Sequence, residues 1–314
     1  MTVGSIEAGG TKFVVAVADD DMKQPITARI PTTDPVTTLN QVIQFFRTNP
    51  VDSLSIGSFG PLCLDHSAPN YGALQNTPKP GWAGINMYED LIQALNIPVQ
   101  MTTDVNASAY GEYYLFNRNF RQKPVKSLAY LTIGTGIGGG FIEGGHVIGE
   151  SGHPEVGHMW VEPRADDDFE GGCPYHGNHC YEGLASGSTI SARTGERGEN
   201  LARTHRVFDL IQYYTAQLAW NIYVTMHPER IIIGGSVLNV DDLTGVRQYF
   251  NDFNHDYLAV PDLTELIQPP LAAHNGSATI GNFLLARHAV GISGDTDPEL
   301  IMSRTLQDLD SGIG

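Results

Sequence analysis

Two thiols, four imidazoles and seven carboxylates crowd one stretch of the chain, Gly152 to Gly187, which reads GHPEVGHMWVEPRADDDFEGGCPYHGNHCYEGLASG. Cys173, His176 and Cys180 follow one another as C-x2-H-x3-C, and His158 lies fourteen intervening residues before Cys173. Soft sulfur and imidazole donors at such spacing are the ligand set of a structural zinc site. A Cys173–Cys180 disulfide is the competing chemistry, and an expected cytosolic setting disfavours it. His179 offers one more imidazole beside Cys180. Glu155 and Glu182 bracket the knot, so a metal that fixes this loop also fixes both acids.

A second kind of chemistry resides in three glycine-rich turns, Gly9-Gly10-Thr11-Lys12, Gly134-Thr135-Gly136-Ile137-Gly138-Gly139 and Gly234-Gly235-Ser236, each following an apolar run. Without side chains to interfere, consecutive backbone N–H groups converge on an anion, and a threonine hydroxyl or lysine ammonium adds to the cradle. None of the three fits GxxxxGK[ST], and GTGIGG continues as strand through Phe141 where a dinucleotide site needs a helix to open. Phosphates held between two hairpins point to phosphoryl transfer from a nucleoside triphosphate. Asp104, where a strand gives way to a helix, fits two roles: a helix N-cap, or the base that relieves an attacking hydroxyl of its proton.

The elements that must position these groups are legible from pattern. VGSIEA and FVVAVA form two strands about GGTK, and SLAYLTI and GGGFIE repeat that hairpin about the second glycine turn. The repetition predicts two related α/β halves facing each other across a cleft. Leu39, Val42, Ile43 and Phe46 predict a helix, 54–59 a strand, 88–95 a short helix and 99–102 a strand leading into Asp104. The loop 63–84, with its NTPKPGW, reads as irregular chain lining something. Further helices are expected over 207–226 and 277–288, with a strand at PERIIIGGSV between them. A basic, proline-containing stretch at 116–126 divides a first domain, 1–118, from a second, 119–290, that carries the zinc loop 152–187. Residues 290–314 either complete the first domain as a helix or trail as a polar tail.

A net charge of −17 excludes the phosphate-neutralising contacts on which nucleic-acid binding rests. With 41% hydrophobic and only 17% charged residues the chain is globular rather than disordered. No eighteen consecutive apolar residues occur, so no membrane partner is expected and the cytoplasm is the expected location.

IEAGGTKF, TDVNASAYGE, LTIGTGIGGG, EVGH with the cysteine–histidine cluster after it, and IIIGGSV, in that order, resemble the ROK sugar kinases, part of the hexokinase, actin and heat-shock ATPase superfamily. The look is that of the bacterial fructokinase branch, because IEAGGTKF stands for DIGGTK, NTPKPGW is present and CPYHG replaces CxCGxxGC. The resemblance runs from Gly4 to about Ala289. It implies two actin-like (ribonuclease H-like) α/β domains around a central cleft, with the zinc loop in the second. It also implies ATP phosphates on Gly9, Gly10, Thr11, Lys12, Gly134, Thr135 and Gly136, the adenosine beside Gly234 and Gly235, and Asp104 as catalytic base. Glu155, His158, Glu182, Thr103 and Asn76 are the implied sugar ligands. The implied zinc ligands are His158, Cys173, His176 in preference to His179, and Cys180. Mg2+ enters with ATP and is faced by Glu7. The partners expected are a sugar, ATP and a second copy in a homodimer. The activity implied is phosphorylation of D-fructose at O6. Thr103 stands where many glucose-specific relatives carry asparagine, which weakens glucose as substrate. The alternatives are a kinase for glucose, mannose or an N-acetylhexosamine, and a non-catalytic sugar sensor or repressor. The charge and the first hairpin's start within ten residues speak against a repressor.

Overall fold

The computed structural model describes residues 1–291 apart from 20, 21, 23, 24, 78 and 273–275, so the alternatives for residues 292–314 lie outside the described residues. The first sheet is built from β1 (Val3–Ala8), β2 (Lys12–Ala18), β3 (Ile26–Pro31), β4 (Ser53–Ser58) and β5 (Val99–Thr103), in the order β3-β2-β1-β4-β5. The second contains β6 (Ser127–Ile133), β7 (Ile137–Glu143), β8 (His146–Val147), β9 (Arg230–Gly234) and β10 (Ile267–Gln268), in the order β10-β9-β6-β7-β8. Reversed, that is the same order. In each sheet an antiparallel hairpin, β1–β2 or β6–β7, is extended by two parallel strands, β4 and β5 or β9 and β10. The repeat visible in two glycine hairpins therefore extends to all ten strands.

Helices cover both sheets because the strands are buried on both faces. Between β3 and β4 runs α1 (Pro35–Thr48), capped by Asp34, whose carboxylate accepts from Thr37 N at 2.9 Å; α2 (Met87–Leu95) precedes β5. Leu54 and Ile56 of β4 join Val42 and Phe46 in the core beneath α1. With period two, Ser53 and Ser55 point the other way, toward α9 (Ser277–Gly291). Ser53 Oγ donates to Ala286 O at 2.6 Å and Ser55 Oγ to Asn282 Oδ1 at 3.1 Å, while Asn282 Nδ2 donates to Ile6 O at 3.0 Å. An apolar residue at Ser55 would leave the buried Asn282 amide half satisfied, which costs roughly 1–3 kcal/mol.

The central helix is α3 (Asp104–Asn119), which packs on β6 and β7 and crosses α9. Gly111 and Gly281 make that crossing close: a Cβ on Gly281 would strike the Ala107 carbonyl, and one on Gly111 the Ser277 carbonyl. Buried Glu112 on α3 accepts from Leu271 N at 2.7 Å, Ala272 N at 3.0 Å and Ser277 Oγ at 2.7 Å, holding the approach to α9. The second half is completed by the short α4 (Tyr181–Ala185) and α5 (Gly187–Thr194), the long α6 (Arg206–Met226), then α7 (Leu243–Asn254) and α8 (Leu263–Leu266). Ala129, Leu131 and Ile133 of β6 form a core with Phe208, Ile211 and Tyr214 of α6.

Candidate active site

Asp104 is the first residue of α3, but the cap itself is Thr103, whose Oγ1 accepts from Asn106 N at 3.0 Å and which is only 1% exposed. Of the two roles open to Asp104, capping is thus taken by its neighbour. Its Oδ1 accepts only its own helix's Val105 N at 2.9 Å. With Glu7 at the end of β1, Ser108, Tyr130, Thr132 and Gly235, Asp104 lines a cavity of about 110 Å³. Burial raises the Asp104 carboxyl from 3.8 to about 6. Glu7 rises to about 7, through burial first and the neighbouring Asp104 charge second, with Lys12 pulling the other way. Two carboxylates sharing one recess and both titrating near neutrality are the signature of a site prepared to hold a proton or a cation.

Both glycine hairpins open beside this recess. The first is closed at its base by Gly9 N donating to Lys12 O at 3.0 Å, which leaves Gly10, Thr11 and Lys12 exposed at the tip. It is held from behind by the NTPKPGW loop: Trp82, fully buried, stacks near Phe13 at 5.5 Å, and Lys79 Nζ donates to Thr32 O at 3.0 Å. The second turn is closed by Gly134 N to Gly136 O at 2.9 Å and joined to the start of α5 by Gly187 N to Gly134 O at 2.7 Å. Gly134 and Thr135 also border a second cavity of about 380 Å³, faced by Ser188, Ser191, Arg197 and Ser236. Ser236 belongs to the third glycine turn, whereas Ser188, Ser191 and Arg197 carry no sequence motif. Gly234-Gly235 separates the two cavities.

His158, Cys173, His176 and Cys180 converge with every donor atom within 4.8 Å of the others. Cys173 Sγ lies 3.8 Å from His158 Nδ1 and 3.7 Å from His176 Nδ1, and Cys180 Sγ lies 3.8 Å from His158 Nδ1. A tetrahedral zinc with ordinary bond lengths sets sulfur and nitrogen about 3.5 Å apart, so the donor set fits a closed four-ligand site. His179 is elsewhere, exposed and stacked on Trp160 with ring centroids 4.8 Å apart. The knot reaches the second hairpin through Glu182: Oε1 lies 3.7 Å from His158 Nε2, and Oε2 accepts from Ile137 N at 3.0 Å. A carboxylate behind a ligand imidazole fixes its ring orientation. Glu155 is 39% exposed, and its carboxyl is pushed upward by partial burial first, then by the charges of Glu182 and Asp104. Asp104, Glu155 and Glu182 therefore face one region. Asn76 is exposed on the loop before α2 and is not among the residues lining the Asp104 cavity.

Two sheets of one strand order, each with a glycine hairpin, and one raised aspartate at the start of the helix between them form an α/β arrangement suited to phosphoryl transfer. The sequence profile described as the ROK family matches residues 3–289, and the chain belongs to that family. It is 44% identical over 286 residues to the fructokinase of Lactococcus lactis subsp. cremoris, covering 90% of this chain and 96% of that protein. With the fructokinase of Streptococcus mutans serotype c it shares 44% over 290 residues, covering 90% and 97%. Among solved structures, the ROK hexokinase from Thermus thermophilus superposes with a TM-score of 0.69 at 20% identity, over 92% of this chain and 100% of that one.

Proposed function

We propose that this chain phosphorylates D-fructose at O6 with ATP, giving fructose 6-phosphate and ADP. The observation that carries the substrate is the 44% identity, over 90% of the chain, to proteins named fructokinase. The raised, half-buried carboxylate of Asp104 at the cleft carries the chemistry. In this reading the sugar's 6-hydroxyl lies against Asp104, which accepts its proton as the O6–Pγ bond forms and the bond from Pγ to the β,γ-bridging oxygen breaks. A base that titrates at about 6 is ionised at pH 7 and matched to that transfer better than an ordinary aspartate.

The exposed tips Gly9 to Lys12 and Gly134 to Gly136 hold the triphosphate, and the cavity beside Ser236 receives the nucleoside across Gly234 and Gly235. Mg2+ bound to ATP neutralises phosphate charge, and Glu7 is the carboxylate placed to face it. Glu155, Glu182 and His158 orient the sugar hydroxyls, and Asn76 borders the sugar from the other half. Thr103 acts by capping the helix that begins with Asp104. Zinc on His158, Cys173, His176 and Cys180 supplies rigidity rather than reaction chemistry, having no open position in this reading. Three unpaired cysteines and the lack, among the described residues, of a helix long and apolar enough to cross a membrane support a cytoplasmic enzyme. We take the working form to be a homodimer, which light scattering will test. Coupled-assay turnover on fructose, glucose, mannose and N-acetylmannosamine tests the substrate. A preference for any sugar other than fructose overturns the substrate assignment, and Asp104→Asn retaining substantial turnover overturns the base.

A further inference from the structure

His153 has no part in the zinc set, yet its imidazole is the side chain that joins the two halves of the molecule beside Glu155. The ring sits on the loop leading into the zinc knot and is 13% exposed. Its Nδ1 accepts from Leu62 N at 3.2 Å, in the loop that follows β4 of the first sheet. Its Nε2 lies 3.3 Å from Glu155 Oε1. Gly60 lies flat against the same ring, where a Cβ would fall inside the imidazole. These contacts admit one state of the ring. Nδ1 must be bare to accept the Leu62 N–H, so in the neutral imidazole the proton is on Nε2, the nitrogen 3.3 Å from Glu155 Oε1. Burial, which pulls this histidine down to about 4, favours the same neutral form.

A single rigid ring thus ties a backbone amide of the first half to a carboxylate of the second. We propose that His153 is a positioning residue that latches the 60–62 loop onto the zinc loop, so that Glu155 takes its sugar-facing orientation only when the two halves are together. The assignment rests on the reading of Glu155 as a sugar ligand. It has a direct consequence: sugar affinity and protection of the Leu62 amide depend on the same imidazole, through its two different nitrogens.

The two nitrogens can be separated by isosteric replacement. His153→Asn puts an amide oxygen where Nδ1 stands and keeps the Leu62 bond. His153→Gln puts an amide nitrogen where Nε2 stands and keeps the contact with Glu155. Full-length, zinc-loaded protein is used throughout, with metal content and melting temperature recorded for each variant. In His153→Ala the fructose KM is expected to rise roughly tenfold to a hundredfold, as loss of a polar contact to a charged group implies, while the KM for ATP stays within about twofold. Amide exchange over residues 60–64, measured without ligands, is expected to accelerate in the alanine and glutamine variants and to stay near wild type in the asparagine variant. The exchange experiment needs no turnover, so it reads the latch even if fructose proves not to be the substrate. Unchanged exchange at Leu62 in a folded His153→Ala protein overturns the latch. Faster exchange with an unchanged fructose KM, in an enzyme whose wild type does use fructose, overturns the link to Glu155.

Discussion

Replacing Asp104 with asparagine should make the protein more stable while disabling it, and the size of the gain can be worked from the site. Burial holds the folded carboxyl at about 6 against 3.8 in ordinary surroundings. The sign follows from where the proton sits. Below pH 4 folded and unfolded chains are both protonated at this residue, and no penalty exists. Between 3.8 and about 6 the folded chain keeps a proton that the unfolded chain has released, so stability falls as pH rises; above about 6 the whole penalty is present. At about 1.4 kcal/mol per pH unit the gap corresponds to about 3 kcal/mol, a ceiling because the carboxylate retains some contact with water. Asparagine keeps an oxygen to accept the Val105 N–H and removes only the charge. The variant should therefore melt higher than wild type by up to roughly 5 °C at pH 8.5, at roughly 2 °C per kcal/mol for a chain of this size. By pH 4.5 the advantage should shrink to about a third, near 1 kcal/mol. Ligand-free melts of both proteins at both pH values measure it, and loss of metal in acid cancels in the difference. A variant less stable than wild type at pH 8.5, or an advantage equal at the two pH values, would refute the argument that burial strains this carboxylate.

Three further outcomes follow from the same geometry. The acid limb of kcat/KM for fructose should fall near pH 6 rather than near 4, since the base must be ionised to act; a profile flat down to pH 5 rules Asp104 out as base. Each chain should carry one zinc by elemental analysis, and Cys173→Ser should lose it and raise the fructose KM at least tenfold more than the KM for ATP, since second-shell partners of a metal site typically move activity by about 10- to 100-fold. Equal effects on both substrates would dissolve the proposed link from the knot through His158 to the sugar. Gly281→Ala, which lines neither cavity, should destabilise the fold by roughly 1–3 kcal/mol because its Cβ meets the Ala107 carbonyl; chemical denaturation with no loss of midpoint contradicts the close crossing.

Both hairpins, the helix with Leu39, Val42, Ile43 and Phe46, and the cysteine–histidine cluster were readable because each depends on local spacing, and local spacing survives in sequence. Strand β3 was not, since ITARIP lies mostly exposed at a sheet edge and its alternation of Ile26, Ala28 and Ile30 with polar residues is too short to stand out. Helix α7 carried a usable signal in Leu243, Val246 and Phe250, but no motif drew attention to it. Asp104 was ambiguous in sequence because a cap and a base both suit the start of a helix; the Thr103 hydroxyl resolves the capping in space. Tyr130 and Ser108, which share its cavity, and Ser188 and Arg197, which share the neighbouring one, come from different elements brought together only by folding. Burial of Ser53 and Ser55 likewise made sense only with the Ala286 carbonyl and the Asn282 amide of α9 opposite them.

The contact of α3 with α9 at Gly111 and Gly281 has a mechanical consequence. Where two helices meet backbone to backbone, their separation is set by main-chain atoms that cannot rotate out of the way, so the junction keeps its spacing however the side chains around it repack. Asp104 begins one of these helices, and Asn282, which donates to Ile6 O in the strand that carries Glu7, stands on the other. The two carboxylates of the recess are thus gauged from one fixed junction.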